Sequence, residues 1–470
     1  MNHIARLERL PMGRPHRKLL VIGGLGYTFD AADAAVIAFI LPVVSKQWGL
    51  NSGEVSLLAS SLLVGYLFGA LAAGVLGDRF GRKKVMIGSL IVYTLMTAAA
   101  AFSPNFEALF AFRVLAGVGI GAESAIIAPY LAEFVPGRYR GRFIGSVAGF
   151  FAFGYVLCAV LSRIVIPTGP DGWRVVQLIL VVPIVMVIWW RRALPESPRY
   201  LLAKGREDEA NRIVSAFEAA VRADTGRDLP PLPASDSTYH PVDVELARRS
   251  IGAKLATLWT PRFVRRTTVT WVSWFAITFA YYGFFTMMPK LLADQGLTIT
   301  KSFTFAIYIY IAQIPGYFSA AFLSDALDRK RVIALYLVGA TASAVLLSQA
   351  QTNWQIIACG AALSLFMTGT YAVLYTYTPE VYPTEIRTTG QGAASAFGRV
   401  GGIAAPFAFT AAAVHGFGSV FILTAAVLAV CVITVMTLGL PTQGKTLEEI
   451  SPPSSSPAEQ RSTPESEPLR

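Results

Sequence analysis

Twelve times along this chain an apolar run recurs that is long enough to cross a bilayer, and no other feature constrains its fold as strongly. A membrane helix needs about 20 mostly apolar residues, and runs of that order stand at roughly 19–43, 54–77, 85–103, 106–135, 141–166, 173–192, 265–291, 302–326, 331–350, 355–379, 387–414 and 418–440. The composition agrees. Of 470 residues, 54% are hydrophobic and only 15% charged, with a mean hydropathy of +0.52, far from the mixture of a soluble domain. The first run exceeds the apolar core of a secretory signal and follows a basic segment without a small-residue cleavage site. It is expected to remain as the first helix.

Basic residues set the orientation. Arg6, Arg9, Arg14, Arg17 and Lys18 precede the first span, and every second loop is basic: Arg79, Arg82, Lys83 and Lys84, then Arg138, Arg140 and Arg142, then Arg329, Lys330 and Arg331. The intervening loops hold isolated bases such as Lys46, Arg163, Lys290 and Lys301. This bias places both termini in the cytoplasm and the chain in the cell inner (plasma) membrane as a multi-pass protein. The net charge of +11 is therefore a topology signal, and nucleic acid is not expected as a partner. Cys158, Cys359 and Cys431 all lie within spans and read as packing residues, with no disulfide or metal spacing. His3, His16, His240 and His415 form no ligand set.

One long polar interruption divides the spans six and six. The expected organisation is a cytoplasmic segment at 1–18, a six-helix bundle at 19–192, a cytoplasmic helical linker at 193–264, a second six-helix bundle at 265–440, and a Pro/Ser-rich, disordered cytoplasmic tail at 441–470. The halves repeat. "GDRFGRKKV" at 77–85 matches "SDALDRKRV" at 324–332, and "YLAEFVPGRYRG" at 130–141 matches "YTPEVYPTEIRT" at 377–388. Asp325 follows Asp78, and Glu380 follows Glu133, by the same 247 residues, which argues for duplication of a six-helix unit. The fold class is all-α: twelve transmembrane helices in two six-helix bundles.

These motifs carry a family resemblance. "GVLGDRFGRKKV" resembles the loop signature of the major facilitator superfamily, and the likeness in layout covers roughly 19–440. "RVLAGVGIGAESAIIAPYLAEFVPGRYRG", "PESPRYLL" and "PTQGKTLEEI" resemble the sugar-porter and metabolite:proton symporter branches. "DAAD" is similar to the motif of aromatic acid:proton symporters, and "FDAAD", "GAES", "AYYGFF" and "GRVGG" together look most like the niacin-transporter type. The paired glutamines of sugar porters are missing from the seventh span, "WVSWFAITFAYYGFF", which argues against a hexose.

Charges divide into two sets. Asp78, Arg82, Glu133, Arg140, Asp325, Arg329, Glu380 and Arg387 sit at cytoplasmic helix ends, where carboxylates and guanidinium groups can pair across helices as a gate; ordinary solvated loop charge is the plainer alternative. Mid-span charges instead occur in one copy only. At the repeat offset Asp33 faces Ala280, Arg113 faces Gly360, Glu123 faces Thr370 and Arg399 faces Ala152. An ionisable group at a helix centre costs about 2.5–3.5 kcal/mol on insertion scales, so it should face a cavity and find a partner. Asp30 and Asp33 share a helix face. Asp33 is the candidate proton carrier with Arg113 as its partner, as the resemblance also implies, unless the two form a permanent structural pair. Asp30 is assigned to proton or substrate, and Glu123 to a relay or a packing anchor.

Arg399, in "FGRVGG", is the candidate for a substrate carboxylate, with a standing pair to Glu123 or to helix-end carbonyls as the alternative. Aromatic residues crowd the second half, and Trp274, Tyr281, Tyr282 and Tyr371 are the candidates to hold a flat ring. "YYGFF" suggests a helix break. Gly117, Gly119 and Gly121 read as close helix packing and not as a nucleotide loop. No Walker A sequence, metal set or nucleophile–base pair occurs, so the expectation is a non-enzymatic, cofactor-free monomer that moves a small molecule with protons across the lipid bilayer. The expected substrate is a small aromatic monocarboxylate such as nicotinate. A non-aromatic acid or polyol, or a transport-silent receptor of the same fold, are the alternatives.

Overall fold

The computed structural model describes residues 3–226, 228–232, 250–383 and 386–442. The Pro/Ser-rich tail and most of the linker after Leu232 lie outside the described residues. Among the described residues ten helices are long and apolar enough to cross a membrane; the split sixth span and the 31-residue helix Val264–Asp294 complete twelve. In order the spans are Arg14–Trp48, Ser52–Phe80, Arg82–Ala101, Phe106–Ala132, Gly137–Val165, Gly172–Ile179 with Ile184–Ala193, Val264–Asp294, Ile299–Ile311 with Gln313–Ala326, Arg329–Ser348, Asn353–Glu380, Arg387–Ala413 and Phe417–Leu438. Short loops alternate their direction, so one end of the molecule carries both terminal spans' outer ends and the linker. This end is the near side of the molecule.

Local chemistry sets the boundaries. The second span starts with a capping box, Asn51 accepting from the Glu54 amide and Glu54 accepting from the Asn51 amide; Thr352 and Gln355 do the same for the tenth. Such caps satisfy amides that a helix start leaves open, for about 0.5–2 kcal/mol each. Gly49 ends the first span at φ 62°, a left-handed turn that glycine adopts without strain. Pro183 and Pro315 lack the N–H that would bond the carbonyl four residues earlier, and the sixth and eighth spans break after Ile179 and Ile311 accordingly. The break expected at "YYGFF" is absent, since the seventh span runs unbroken through it. Gly283 is needed there for contact: a Cβ would lie 2.6 Å from the Phe409 ring.

The duplication is visible in packing. First with fifth, second with fourth and third with fourth spans pack together, and so do seventh with eleventh, eighth with tenth and ninth with tenth. Between the halves, the first span meets the seventh, the second meets the eleventh and the fifth meets the eighth. Glycines let the fourth span seat closely, for a Cβ at Gly117 or Gly121 would collide with the backbone carbonyls of Leu62 or Tyr66 in the second. Outward faces present large apolar side chains such as Phe68, Leu71, Val75, Val430 and Ile433.

On the near side the helix His3–Glu8 straps the linker helix Glu207–Thr225 to the loop before the fifth span. Arg6 and Arg9 bind Glu218 at 2.5 and 2.7 Å, and Glu8 binds Arg140 at 3.2 Å. Burial alone would push the Glu218 carboxyl up, but the two arginine hydrogen bonds outweigh it and hold it below its ordinary value.

Candidate functional site

The structure brings Asp33 and Arg113 together. Arg113 Nη1 lies 3.2 Å from both Asp33 carboxylate oxygens, Nη2 donates to the Asp33 backbone carbonyl at 2.7 Å, and Thr97 of the third span donates to Oδ1 at 2.7 Å. Both charges are fully buried. A buried pair is held by such additional hydrogen bonds, and removing one partner typically costs about 3–5 kcal/mol because the other charge is stranded.

Asp30 sits one turn toward the near side and accepts from Ser124 at 3.3 Å. Glu123 is buried on the same level, ten residues or about 15 Å along the fourth span from Arg113, beside Gly26 of the first.

Across the midline, Arg399 is 7% exposed. Among the described residues it pairs neither with Glu123 nor with a helix-end carbonyl. Its Nη1 donates to the Tyr282 hydroxyl at 2.9 Å, and its guanidinium lies over the Tyr66 ring of the second span at 4.2 Å. Tyr281 donates to Gln313 at 2.9 Å, Trp274 donates to Thr378 at 2.9 Å, and Tyr371 meets Thr278 at 3.3 Å. Tyr371 packs against the rings of Trp274 and Tyr281 at 5.5 and 5.4 Å. The second-half candidates therefore form one aromatic wall beside Arg399. Two other aromatic residues of these spans lie elsewhere: Tyr308 is 53% exposed, and Trp271 stacks on Phe397.

The near-side charges pair in a repeated pattern. Arg82 binds Glu133 in the first half, and Arg329 binds Glu380 at 3.1 Å in the second; both pairs are related by the 247-residue offset. Each ties two helices of one half together, not one half to the other. Arg140 donates to the Ala132 and Val135 carbonyls and to Glu8, and Arg387 to the Tyr382 carbonyl at 3.4 Å. Asp78 is exposed, and the Asp325 side chain lies outside the described residues. Among the described residues, polar contacts between the halves include Arg399 with Tyr66 at mid-depth and, on the far side, Ser56 with Pro406 and Thr410 and Arg163 with Thr304.

Sequence reasoning missed Thr97, Ser124, Tyr66 and Gln313. Only Gln313 carried a signal, as an amide within an apolar span two residues before a proline.

Two duplicated bundles, mid-depth charges in one copy each, and paired charges at one end define a membrane carrier of the major facilitator superfamily. The chain belongs to the sugar (and other) transporter family, whose model matches residues 19–452. It is 40% identical over 96% of its length to the whole of the niacin transporter NiaP of Acinetobacter baylyi. It is also 31% identical over 92% of its length to the putative niacin/nicotinamide transporter NiaP of Bacillus subtilis, 98% of which is covered. Among solved structures, a partially occluded, inward-open xylose transporter XylE of E. coli superimposes with a TM-score of 0.72 over 92% of this chain and all of that one, at 16% identity. At that identity the likeness speaks for the fold.

Proposed function

We propose that this transporter couples inward proton movement to uptake of a small aromatic monocarboxylate of the nicotinate type, by alternating access, as a monomer in the inner (plasma) membrane with both termini cytoplasmic. The observation that carries the substrate class is Arg399. It is a mid-depth guanidinium that, among the described residues, faces tyrosines and no carboxylate, next to a wall of aromatic rings. A ligand carboxylate supplies the missing anion in a two-pronged contact, and a flat ring fits the wall. The names of the two relatives support the same choice.

Proton coupling is assigned to Asp33. Separation of the first and fourth spans breaks its bond to Arg113 and leaves the carboxylate free to carry the proton. Asp30, Glu123 and the near-side charges Asp78, Arg82, Glu133, Arg140, Asp325, Arg329, Glu380 and Arg387 serve coupling and gating. Lysine and arginine enrichment on the near side supports its cytoplasmic placement.

Purified protein in proteoliposomes tests the reading. Labelled nicotinate is expected to accumulate when the outside is acidic and to be competed by pyridine and benzoic acids, with xylose and polyols without effect. Accumulation of a sugar or polyol in place of nicotinate would overturn it.

A further inference from the structure

The first and fourth spans share a second acidic contact that the Asp33–Arg113 pair does not explain. Asp30 and Glu123 are both fully buried. Glu123 Oε1 would touch a Cβ placed on Gly26, at 3.1 Å, and Gly26 lies one turn before Asp30 on the same helix. Asp30 in turn takes its hydrogen bond from Ser124, the residue after Glu123. Among the described residues neither Glu123 oxygen has a hydrogen-bond partner, and nor does Asp30 Oδ1.

The surroundings supply no cation among the described residues. Tyr27 and Asp33 of the first span and Tyr93 of the third are electrostatic neighbours of the pair, and Tyr66 of the second and Tyr317 of the eighth are neighbours of Tyr27. Tyr93 is fully buried, has Glu123 and Asp30 as electrostatic neighbours, and its hydroxyl is unpartnered. A Cβ placed on Gly26 would also lie 3.0 Å from the Trp190 ring of the sixth span, whose indole N–H has no partner among the described residues. Arg113 is held by Asp33, and Arg399 by Tyr282 and Tyr66. Two carboxylates without a cation in a water-poor interior repel strongly. A bound proton removes one of the two charges.

We propose that Asp30 and Glu123 form a second proton-binding site, separate from Asp33–Arg113, which takes up and releases one proton in each cycle, so that a monocarboxylate travels with two protons. The inference rests on the nicotinate-type reading above. Exchange, as opposed to a static proton, follows from the placement. Both acidic contacts bridge the same two helices, so the displacement that parts Asp33 from Arg113 also parts Asp30 from Ser124 and Glu123. The carboxyl O–H bond then breaks and the proton passes to water in the opened cavity. The scaffold does not require these acids, because the repeat offset places Ile277 opposite Asp30 and Thr370 opposite Glu123.

The test is the charge moved. Two protons with one monoanion carry a net positive charge inward; one proton carries none. In proteoliposomes without a pH gradient, a potential of about 59 mV, negative inside, should concentrate labelled nicotinate about tenfold. Glu123→Gln should abolish accumulation driven by potential alone and retain accumulation driven by a pH gradient. Asp30→Asn is the second variant should the first fail to fold, and the voltage response of the unaltered protein decides in either case. Uptake by the unaltered protein that ignores potential, or a Glu123→Gln response equal to it, overturns the second site. Absence of nicotinate accumulation under either gradient overturns the nicotinate reading and this inference with it.

Discussion

The two halves share a backbone plan and differ in what they bury. In the first half the interior holds Asp30, Asp33, Arg113 and Glu123; in the second it holds Trp274, Tyr281, Tyr310 and Tyr371, with Arg399 at its inner edge. Positions related by the repeat carry no charge in the other copy, whereas the near-side pairs Arg82–Glu133 and Arg329–Glu380 occur in both. On the proposed reading, what both copies retain belongs to the machinery of movement, and what only one retains belongs to chemistry: protons in the first half, the ring and its carboxylate in the second.

That division is broken most forcefully at Asp33. Asp33→Asn keeps the shape but leaves Arg113 without its anion, and it removes the carboxyl that can take a proton. Uphill uptake on a pH gradient should fall to at most what the one proton of the Asp30–Glu123 site can drive, while ligand binding and counterflow persist, because the second half is untouched. Concentrative uptake at the level of the unaltered protein would show that the first half does not carry the coupling proton.

Arg399 tests the other side of the comparison. Lysine keeps the charge but cannot make a two-pronged contact, nor lie flat on Tyr66. A charged hydrogen bond is worth about 1.5–3 kcal/mol, so Arg399→Lys should weaken nicotinate binding by about one to two orders of magnitude. The uncharged amide of the same ring should lose little. Equal losses for acid and amide, measured by ligand-induced thermal shift or calorimetry, would make Arg399 a structural bridge to Tyr66 and Tyr282.

Much of this plan was legible before any coordinates. Hydropathy reads directly as spans because a bilayer admits little else than helices, and the repeat aligned the charges that the structure pairs. Asp33 and Arg113 could be matched because buried charges need partners and few were on offer. The partners without charge were not legible: Thr97 and Ser124 sit in small-residue helices where a hydroxyl leaves no pattern, and Tyr66 is one aromatic among many. The helix breaks misled in both directions. "YYGFF" looked like a break, yet Gly283 serves the approach of Phe409, while the real breaks follow from Pro183 and Pro315 through carbonyls four residues earlier.

The smallest effects are expected where the halves agree. Glu133 lies ten residues beyond Glu123, about 15 Å further toward the near side, too far to touch a ligand beside Arg399. Glu133→Gln and Glu380→Gln should therefore change the turnover rate and leave the apparent affinity within about twofold. Their magnitudes should differ in a defined order. The Glu133 side chain is 4% exposed and also accepts from Ser197 at 2.5 Å, whereas Glu380 is 25% exposed. Partly exposed ion pairs contribute about 0.2–1 kcal/mol, and more when buried and hydrogen-bonded. A several-fold rate change is expected for Glu133→Gln and about a twofold change for Glu380→Gln, with Asp78→Asn again altering rate more than affinity. Initial uptake rates across substrate concentrations decide it: a loss confined to affinity, or a larger effect at Glu380 than at Glu133, would mean that the repeated pairs are not equivalent parts of one gate.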